Sequence, residues 1–152
     1  MKKLLLILLC LPLLFTTCKK EDELTNTALA IGDTHQGGII FYLDGYGGGL
    51  IAAPSDQSPT AWGCYGTTMS GADGTAIGTG NQNTIDIVTG CTTSVTAADI
   101  CTNLTLGGYS DWFLPSKDEL NQMYLNKAAI GGFISYCYWS STESGSGSAW
   151  IQ

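Results

Sequence analysis

The sequence predicts one domain that mixes strands and helices, with strands near its two ends and helices between them. Three observations lead to this prediction. Apolar, β-branched runs at 38–43 and 50–53 flank a glycine-rich turn. A serine-capped segment at 116–126 has the residue spacing of an amphipathic helix. An aromatic and hydroxyl-rich run at 136–142 is followed by a Ser/Gly loop and a short run at 149–152.

The first hairpin is predicted from residue type alone. Residues 38–43 form a continuous apolar run, which is typical of a buried strand. Residues 44–49 supply the turn, and residues 50–53 return as the second strand. Pro54 ends that strand, because proline has no N–H to donate to a sheet.

Three helices are predicted between the strands. A long irregular stretch over 55–83 precedes the first, which we expect over 83–88 with Asn83 as its cap. The second is expected over 96–106, where apolar side chains recur on one face. The third is expected over 116–126.

The third helix is predicted from a capping box. Ser116 is followed three residues later by Glu119, and apolar residues continue behind them at helical spacing. Acidic residues in a first turn also suit the helix dipole. We therefore interpret Glu119 as a helix cap rather than a catalytic acid.

The charge composition excludes several functions. The chain has 152 residues with 20 glycines, six lysines, no arginine and 13 acids, a net charge of −7. From residue 31 onward only Lys117 and Lys127 are basic, against ten acids. A domain with so few cations cannot neutralise a row of phosphates or sulfates, so we expect neither nucleic acid nor a sulfated glycosaminoglycan as partner.

The first residues predict export and lipidation. Lys2 and Lys3 precede an apolar run of twelve residues at 4–15, too short to span a bilayer but typical of a signal peptide. Thr16, Thr17 and Cys18 then resemble a lipobox, which predicts a signal peptide over 1–17 and a lipid on Cys18. The alternative is an ordinary signal peptide with an incidental cysteine.

The charged segment after Cys18 predicts a location. It resembles the export signal of surface lipoproteins in Bacteroidetes-type bacteria, although a plain solvated tether is the alternative. We therefore expect residues 18–30 to be a lipidated tether that anchors the protein to the outer membrane, exposed at the cell surface. The residues of the export segment are Lys19, Lys20, Glu21, Asp22 and Glu23.

Four cysteines remain once Cys10 leaves with the signal peptide and Cys18 takes lipid. An even number in an oxidising compartment suggests two disulfides, and spacing alone leaves three connectivities open. We prefer two pairings, Cys64 with Cys91 and Cys101 with Cys137. A metal site of these cysteines is disfavoured, since there is no Cys-x-x-Cys and the only histidine is His35.

Calcium is the one cofactor that the long loop could hold. Five residues in or next to it carry oxygen ligands, but their spacing fits no EF-hand or repeat-type calcium loop. A turn-rich loop without metal is the preferred interpretation. The five residues are Asp56, Asp73, Asn81, Asn83 and Asp86.

Several segments together carry a family resemblance. Trp112 to Leu120 reads W-F-L-P-S-x-x-E-L, Tyr138 to Glu143 reads Y-W-S-S-T-E, and residues 37–42 open the domain. Residues 32–152 resemble the bacterial family of unknown function that includes the C-terminal (Lcl) domain of a collagen-like adhesin. The resemblance implies a C-type-lectin-like α+β domain over 31–152, with two helices packed on small antiparallel sheets.

The resemblance also sets limits. The family pattern continues with one more strand, so we expect a chain truncated at its C-terminus, with the strand near Ile39 left without a partner. The adhesin's sulfated ligand does not carry over, because the domain has too few cations. The calcium and sugar triplets of C-type lectins are absent, since Ser140 and Ser141 follow Trp139 where carboxylate ligands would be needed.

The predicted function is a surface-anchored ligand-binding or adhesion module, for a neutral glycan or a protein. We expect Tyr46, Trp62 and Tyr65 to be exposed stacking platforms for sugar rings. The other three tryptophans, Trp112, Trp139 and Trp150, are expected in the core. The alternative is a structural envelope protein without a small ligand. An enzyme is not expected, because one histidine, no arginine and no close carboxylate pair leave few catalytic groups.

Overall fold

The computed structural model describes residues 28–152. The predicted signal peptide, the lipidated Cys18 and the export segment over 19–23 lie outside the described residues. Residues 28–152 form an α+β domain with four helices and two small antiparallel sheets. This confirms the mixed fold class, with two more helices than the family resemblance implies.

The first sheet contains the predicted hairpin. Its strands are β1 (Thr34–His35), β2 (Gly38–Leu43) and β3 (Gly49–Ala52), in the order β1-β2-β3. The turn between β2 and β3 is closed by Asp44, whose Oδ1 accepts the N–H groups of Tyr46 and Gly48 at 2.7 and 2.9 Å. The expectation that the strand near Ile39 lacks a partner is wrong, because β1 and β3 pair with β2 on either side.

The helices are α1 (Gly80–Gly90), α2 (Ala97–Thr102), α3 (Lys117–Leu125) and α4 (Lys127–Ile130). The capping box is confirmed: Ser116 Oγ accepts the Glu119 N–H, and Glu119 accepts the Ser116 N–H. Helix α1 begins three residues before the predicted start, since Asn83 is a buried helical residue whose amide bonds Gly74 at 2.6 and 3.1 Å. Helix α2 is shorter than predicted, because the chain beyond it turns to bridge Leu106 with Tyr109.

The second sheet pairs β4 (Trp139–Gly145) with β5 (Ser148–Ile151). The predicted strand over 136–142 is shifted, because pairing continues through the first residues of the Ser/Gly segment to a turn at Gly147. The other edge of β4 is covered by loops: the N–H groups of Ser141 and Glu143 donate to the carbonyls of Pro115 and Ala72, both at 2.7 Å.

The buried apolar residues form two clusters. The larger one packs Trp62, Met69, Ile87 and Leu114 around α1 and the long loop. The smaller one lies against the first sheet and contains Phe41, Ala52 and Ile130. Within residues 28–152, no helix has the length and hydropathy needed to cross a bilayer.

One predicted disulfide is formed and the other is not. Cys64 and Cys91 are bonded, which confirms the first preferred pairing and ties the long loop to the end of α1. The pairing of Cys101 with Cys137 is not made, and both are free thiols. Cys101 is half-buried on α2 against the larger cluster, whereas Cys137 is exposed on the loop before β4.

Replacing Cys64 and Cys91 together with serine is expected to lower the free energy of unfolding by about 3 kcal/mol. The bond spans 27 residues, and its loss returns loop entropy to the unfolded chain. Urea denaturation of the full chain measures the change. The control is Cys137→Ser, which removes an exposed, unbonded thiol and should change stability by less than about 0.5 kcal/mol. An equal loss in the two variants would contradict a structural role for this bond.

Candidate functional site

A cavity of ≈ 1050 Å³ lies beside the open edge of the first sheet. We name it the β3 cleft. Its walls are β3 with the segment that follows it to Thr60, the inner side of α2, the segment 109–115 and the loop 131–139. Ligand pockets are usually about 300–1,000 Å³, so the cleft has room for a ligand or for a segment of a larger partner.

Aromatic side chains of the loop 131–139 form one wall of the β3 cleft. Tyr136 is 79% exposed and Trp139 is 39% exposed, and both line the cleft. The indole of Trp139 is held in place, since its N–H donates to the carbonyl of Thr60 at 3.2 Å. These two rings can therefore meet a ligand without a large rearrangement. Other aromatic rings that line the cleft are Phe41, Tyr109, Trp112, Phe113, Phe133 and Tyr138.

Tyr138 ties this aromatic wall to an acid. Its hydroxyl donates to Asp56 Oδ2 at 2.8 Å and accepts the Ile134 N–H at 3.0 Å, and its ring meets Phe133 edge-on at 5.1 Å. Burial raises the pKa of Tyr138; the Ile134 bond opposes this rise and Asp56 adds to it. The phenol therefore stays protonated at neutral pH and positions Asp56 at the cleft.

The charges of the β3 cleft are acidic. Asp56 and Asp111 line it together with His35, and no lysine does. The two lysines of the domain are occupied elsewhere: the Nζ of Lys117 lies 4.1 Å from the centre of the Trp150 ring, and that of Lys127 lies 4.0 Å from Tyr124. An anionic ligand would therefore meet two carboxylates and no cation.

The predicted stacking platforms do not form one site. Tyr46 and Tyr65 are almost fully exposed, at 97% and 94%, but neither lines the β3 cleft. Trp62 is only 3% exposed, so its prediction as an exposed platform is wrong. It lies in the larger apolar cluster, where its indole N–H donates to the carbonyl of Ser140 at 2.7 Å.

The core prediction for the other tryptophans is also wrong. Trp139 and Trp150 are about half-exposed, and Trp112 is partly exposed at the cleft. Trp139 opens a strand whose partner is the edge strand β5, so one side of its ring faces outward. Sequence reasoning therefore missed Trp112 and Trp139 as cleft residues. The Tyr136–Trp139 run of aromatics just before β4 was the available signal.

Three of the five candidate calcium residues, Asp56, Asn83 and Asp86, have other contacts or positions. Asn83 is buried against Gly74, Asp86 accepts a hydrogen bond from Gln82 at 3.0 Å, and Asp56 lies at the β3 cleft. Among residues 28–152, no group of three or more His, Cys, Asp or Glu side chains is arranged to hold a metal ion.

Both free thiols line the β3 cleft. Burial raises the pKa of Cys101 to about 11, which keeps it protonated at neutral pH. A thiol in this state is a poor nucleophile, because the thiolate is the reactive form. Cys101 therefore contributes an apolar surface to the wall rather than a reactive group.

Comparison with known proteins does not assign a function, so the function is argued from the geometry of the domain. No protein-family model matches this chain, and it is not significantly similar to any curated protein or solved structure. The resemblance to the adhesin-related family therefore stays a prediction. What the domain can do is argued below from the β3 cleft.

Proposed function

We propose that this protein is a lipoprotein displayed at the cell surface, whose C-type-lectin-like domain binds a ligand without negative charge in the β3 cleft. The leader, Cys18 and the charged segment after it support the anchoring. The cleft supports the binding: it is large, lined by aromatic rings and by two carboxylates, and free of lysine. That combination is the single observation that carries the proposal.

The fold proposal rests on the order of the elements. Strands form at both ends of the domain and helices lie between them, which is compatible with the small antiparallel sheets and packed helices that the family resemblance implies. The W-F-L-P-S-x-x-E-L segment covers the end of the 109–115 wall and the start of α3, and the Y-W-S-S-T-E segment opens β4. Both segments include residues that line the β3 cleft, so the segments that carry the resemblance also contribute to the proposed site.

The aromatic wall supplies the contact surface. A half-exposed indole next to an exposed phenol offers flat apolar faces, on which a sugar ring or an apolar side chain can pack. The carbonyls and carboxylates nearby accept hydrogen bonds from hydroxyl, amide or ammonium groups. A neutral glycan and a polypeptide both present such donors, whereas a sulfated or phosphorylated ligand would be repelled.

Tyr136→Ala in the full chain is expected to weaken binding about tenfold, because one stacked ring is lost. The matched control is Tyr65→Ala, which removes another highly exposed tyrosine, outside the β3 cleft, and should leave binding unchanged. The probes are a printed array of neutral, sialylated and sulfated glycans and a printed array of short peptides of varied net charge.

Binding to uncharged or cationic probes that depends on Tyr136 and not on Tyr65 would support the proposal. Preference for sulfated or sialylated probes would overturn it, since it would require cations that the cleft does not have. Uniform background on both arrays would overturn it as well.

A further inference from the structure

The pairing of β2 shows which way the backbone N–H and carbonyl of Ile51 in β3 point. The N–H of Ile40 donates to the carbonyl of Asp33 at 2.9 Å, and the carbonyl of Ile40 accepts the Gly32 N–H at 2.8 Å. The N–H and the carbonyl of Ile40 therefore both point toward the β1 side of β2. The residue of β3 that lies opposite Ile40 is Ile51. In an antiparallel ladder such an opposed pair exchanges no hydrogen bonds, so the N–H and carbonyl of Ile51 point away from β2.

These two groups of Ile51 face the open edge of the sheet. Strand β3 is the last strand in the order β1-β2-β3, and within residues 28–152 no backbone or side-chain group bonds to Ile51 from that edge. The whole of β3 lines the β3 cleft. A donor and an acceptor of one residue therefore lie side by side on the cleft wall, as on any strand that is ready to accept another.

We infer that the ligand of the β3 cleft is an extended polypeptide segment that pairs with β3 as a fourth strand of the first sheet. This inference rests on the proposed function and names its ligand class. A polypeptide strand offers an N–H and a carbonyl at the spacing that Ile51 requires. A glycan has no such repeat, so the open edge favours the peptide over the sugar.

The side chains around β3 define the pattern of the incoming strand. Leu50 and Ala52 share one face of β3 and pack with Phe41 and Ile130. A strand added beside β3 would place every second side chain next to this face. Those alternate residues are therefore apolar. The glycine-rich turn before β3 and Pro54 after it limit the paired stretch to about four or five residues.

The charges around the cleft define the ends of the incoming strand. Asp56 is held by the hydroxyl of Tyr138 on one wall, and Asp111 lies on another. No lysine lines the cleft to balance them. Lysine or arginine beside the paired stretch complements these carboxylates, whereas glutamate there is repelled. The occupant is thus an extended, apolar-alternating segment flanked by basic residues.

The direct test uses synthetic heptapeptides of pattern KTXTXTK, in which X is Val, Ile, Leu, Phe or Tyr, with the full chain in detergent. We expect saturable binding by fluorescence anisotropy, with ETXTXTE peptides at least about tenfold weaker. Backbone N-methylation of the best peptide then tests pairing. Methyl groups on one alternate set of nitrogens should abolish binding, and those on the other set should be tolerated, because only one set faces β3.

A variant of the chain tests the same contact from the other side. Ile51→Pro removes the outward N–H without breaking the pairing with β2, since that N–H is not part of the ladder. We expect it to weaken peptide binding about tenfold relative to Ile51→Val, which keeps the N–H and a branched side chain. Unchanged far-UV circular dichroism confirms folding. If Ile51→Pro does not fold, the N-methylation series on the natural chain decides alone.

Three results would overturn the inference: no heptapeptide binds, the two N-methylated sets bind equally, or a folded Ile51→Pro variant binds as well as Ile51→Val. The proposed function can be separated from it. Neutral glycan binding that depends on Tyr136, with no peptide binding, would leave the cleft as the site and exclude the added strand.

Discussion

Trp62→Ala is expected to lower the free energy of unfolding by about 5 kcal/mol, at the upper end for removing a buried aromatic residue. The side chain is 3% exposed and packs with Met69 and Ile87 in the larger apolar cluster. Its indole N–H donates to the carbonyl of Ser140, 78 residues away, so the variant also leaves a buried carbonyl without its partner. Urea denaturation of the full chain measures the loss.

Two control variants separate packing from hydrogen bonding. Trp62→Phe keeps most of the buried ring and loses the N–H, and should cost about 2 kcal/mol. Trp150→Ala removes a half-exposed indole on β5 and should cost less than about 1 kcal/mol. If Trp62→Ala left stability unchanged and abolished ligand binding instead, the assignment of Trp62 to the core would be wrong.

Glu119→Ala is expected to lower the free energy of unfolding by about 4 kcal/mol. The carboxylate is 0% exposed, and its two oxygens accept separate N–H groups: Oε2 takes that of Ser116 and Oε1 takes that of Gly78, both at 2.7 Å. The first bond caps α3, and the second fixes the loop before α1. Losing the side chain leaves the buried N–H of Ser116 without an acceptor, at a cost of about 1–3 kcal/mol. It also removes the bond to the more exposed Gly78 and leaves a cavity where a fully buried side chain stood.

Asp118→Ala is the matched control for Glu119. Asp118 lies in the same first turn of α3 and is exposed, so it shares the helix-dipole effect without the buried bonds. We expect its replacement to cost less than about 1 kcal/mol. Equal losses in the two variants, measured by urea denaturation, would assign the effect to the dipole and refute the bridging role of Glu119.

Local patterns were enough to predict the elements that local interactions stabilise. The hairpin over β2 and β3 follows from an apolar run, a turn and Pro54. The capping box of α3 is predicted by Ser116 and Glu119, which are three residues apart. In each case the residues that determine the element lie close together in the chain, so a local sequence pattern is enough to predict it.

The misplaced residues depend on partners far away in the chain. Trp62 stands in a glycine-rich loop and gives no periodic signal, yet it is buried in the larger apolar cluster, where Ser140 accepts its N–H. Asn83 resembles a helix cap, but its side-chain amide is buried and donates to Ser141, 58 residues away. No local pattern can encode such a partner.

The β3 cleft is a tertiary feature as well. Its walls come from several separate stretches of the chain, so its aromatic lining could not be assembled from the spacing of residues. Trp112 and Trp139 lie in the two segments that carry the family resemblance, but the sequence predicted both of them in the core. What the sequence predicted correctly was the sign of the charge, because lysines are scarce along the whole domain.

The hydroxyl residues of β4 have a consequence for when the domain folds. Ser140, Ser141 and Thr142 are buried, and their contacts reach Trp62, Asn83 and Gly74, which precede them by 58 to 78 residues. Contacts this distant form slowly, since a long loop must close before any of them stabilises the chain. The interior is therefore completed only after β4 has been synthesised, long after the loop and helix residues that it covers. Until then Trp62 and Asn83 lack the partners that bury them, so the segments before β4 cannot reach their final packing on their own.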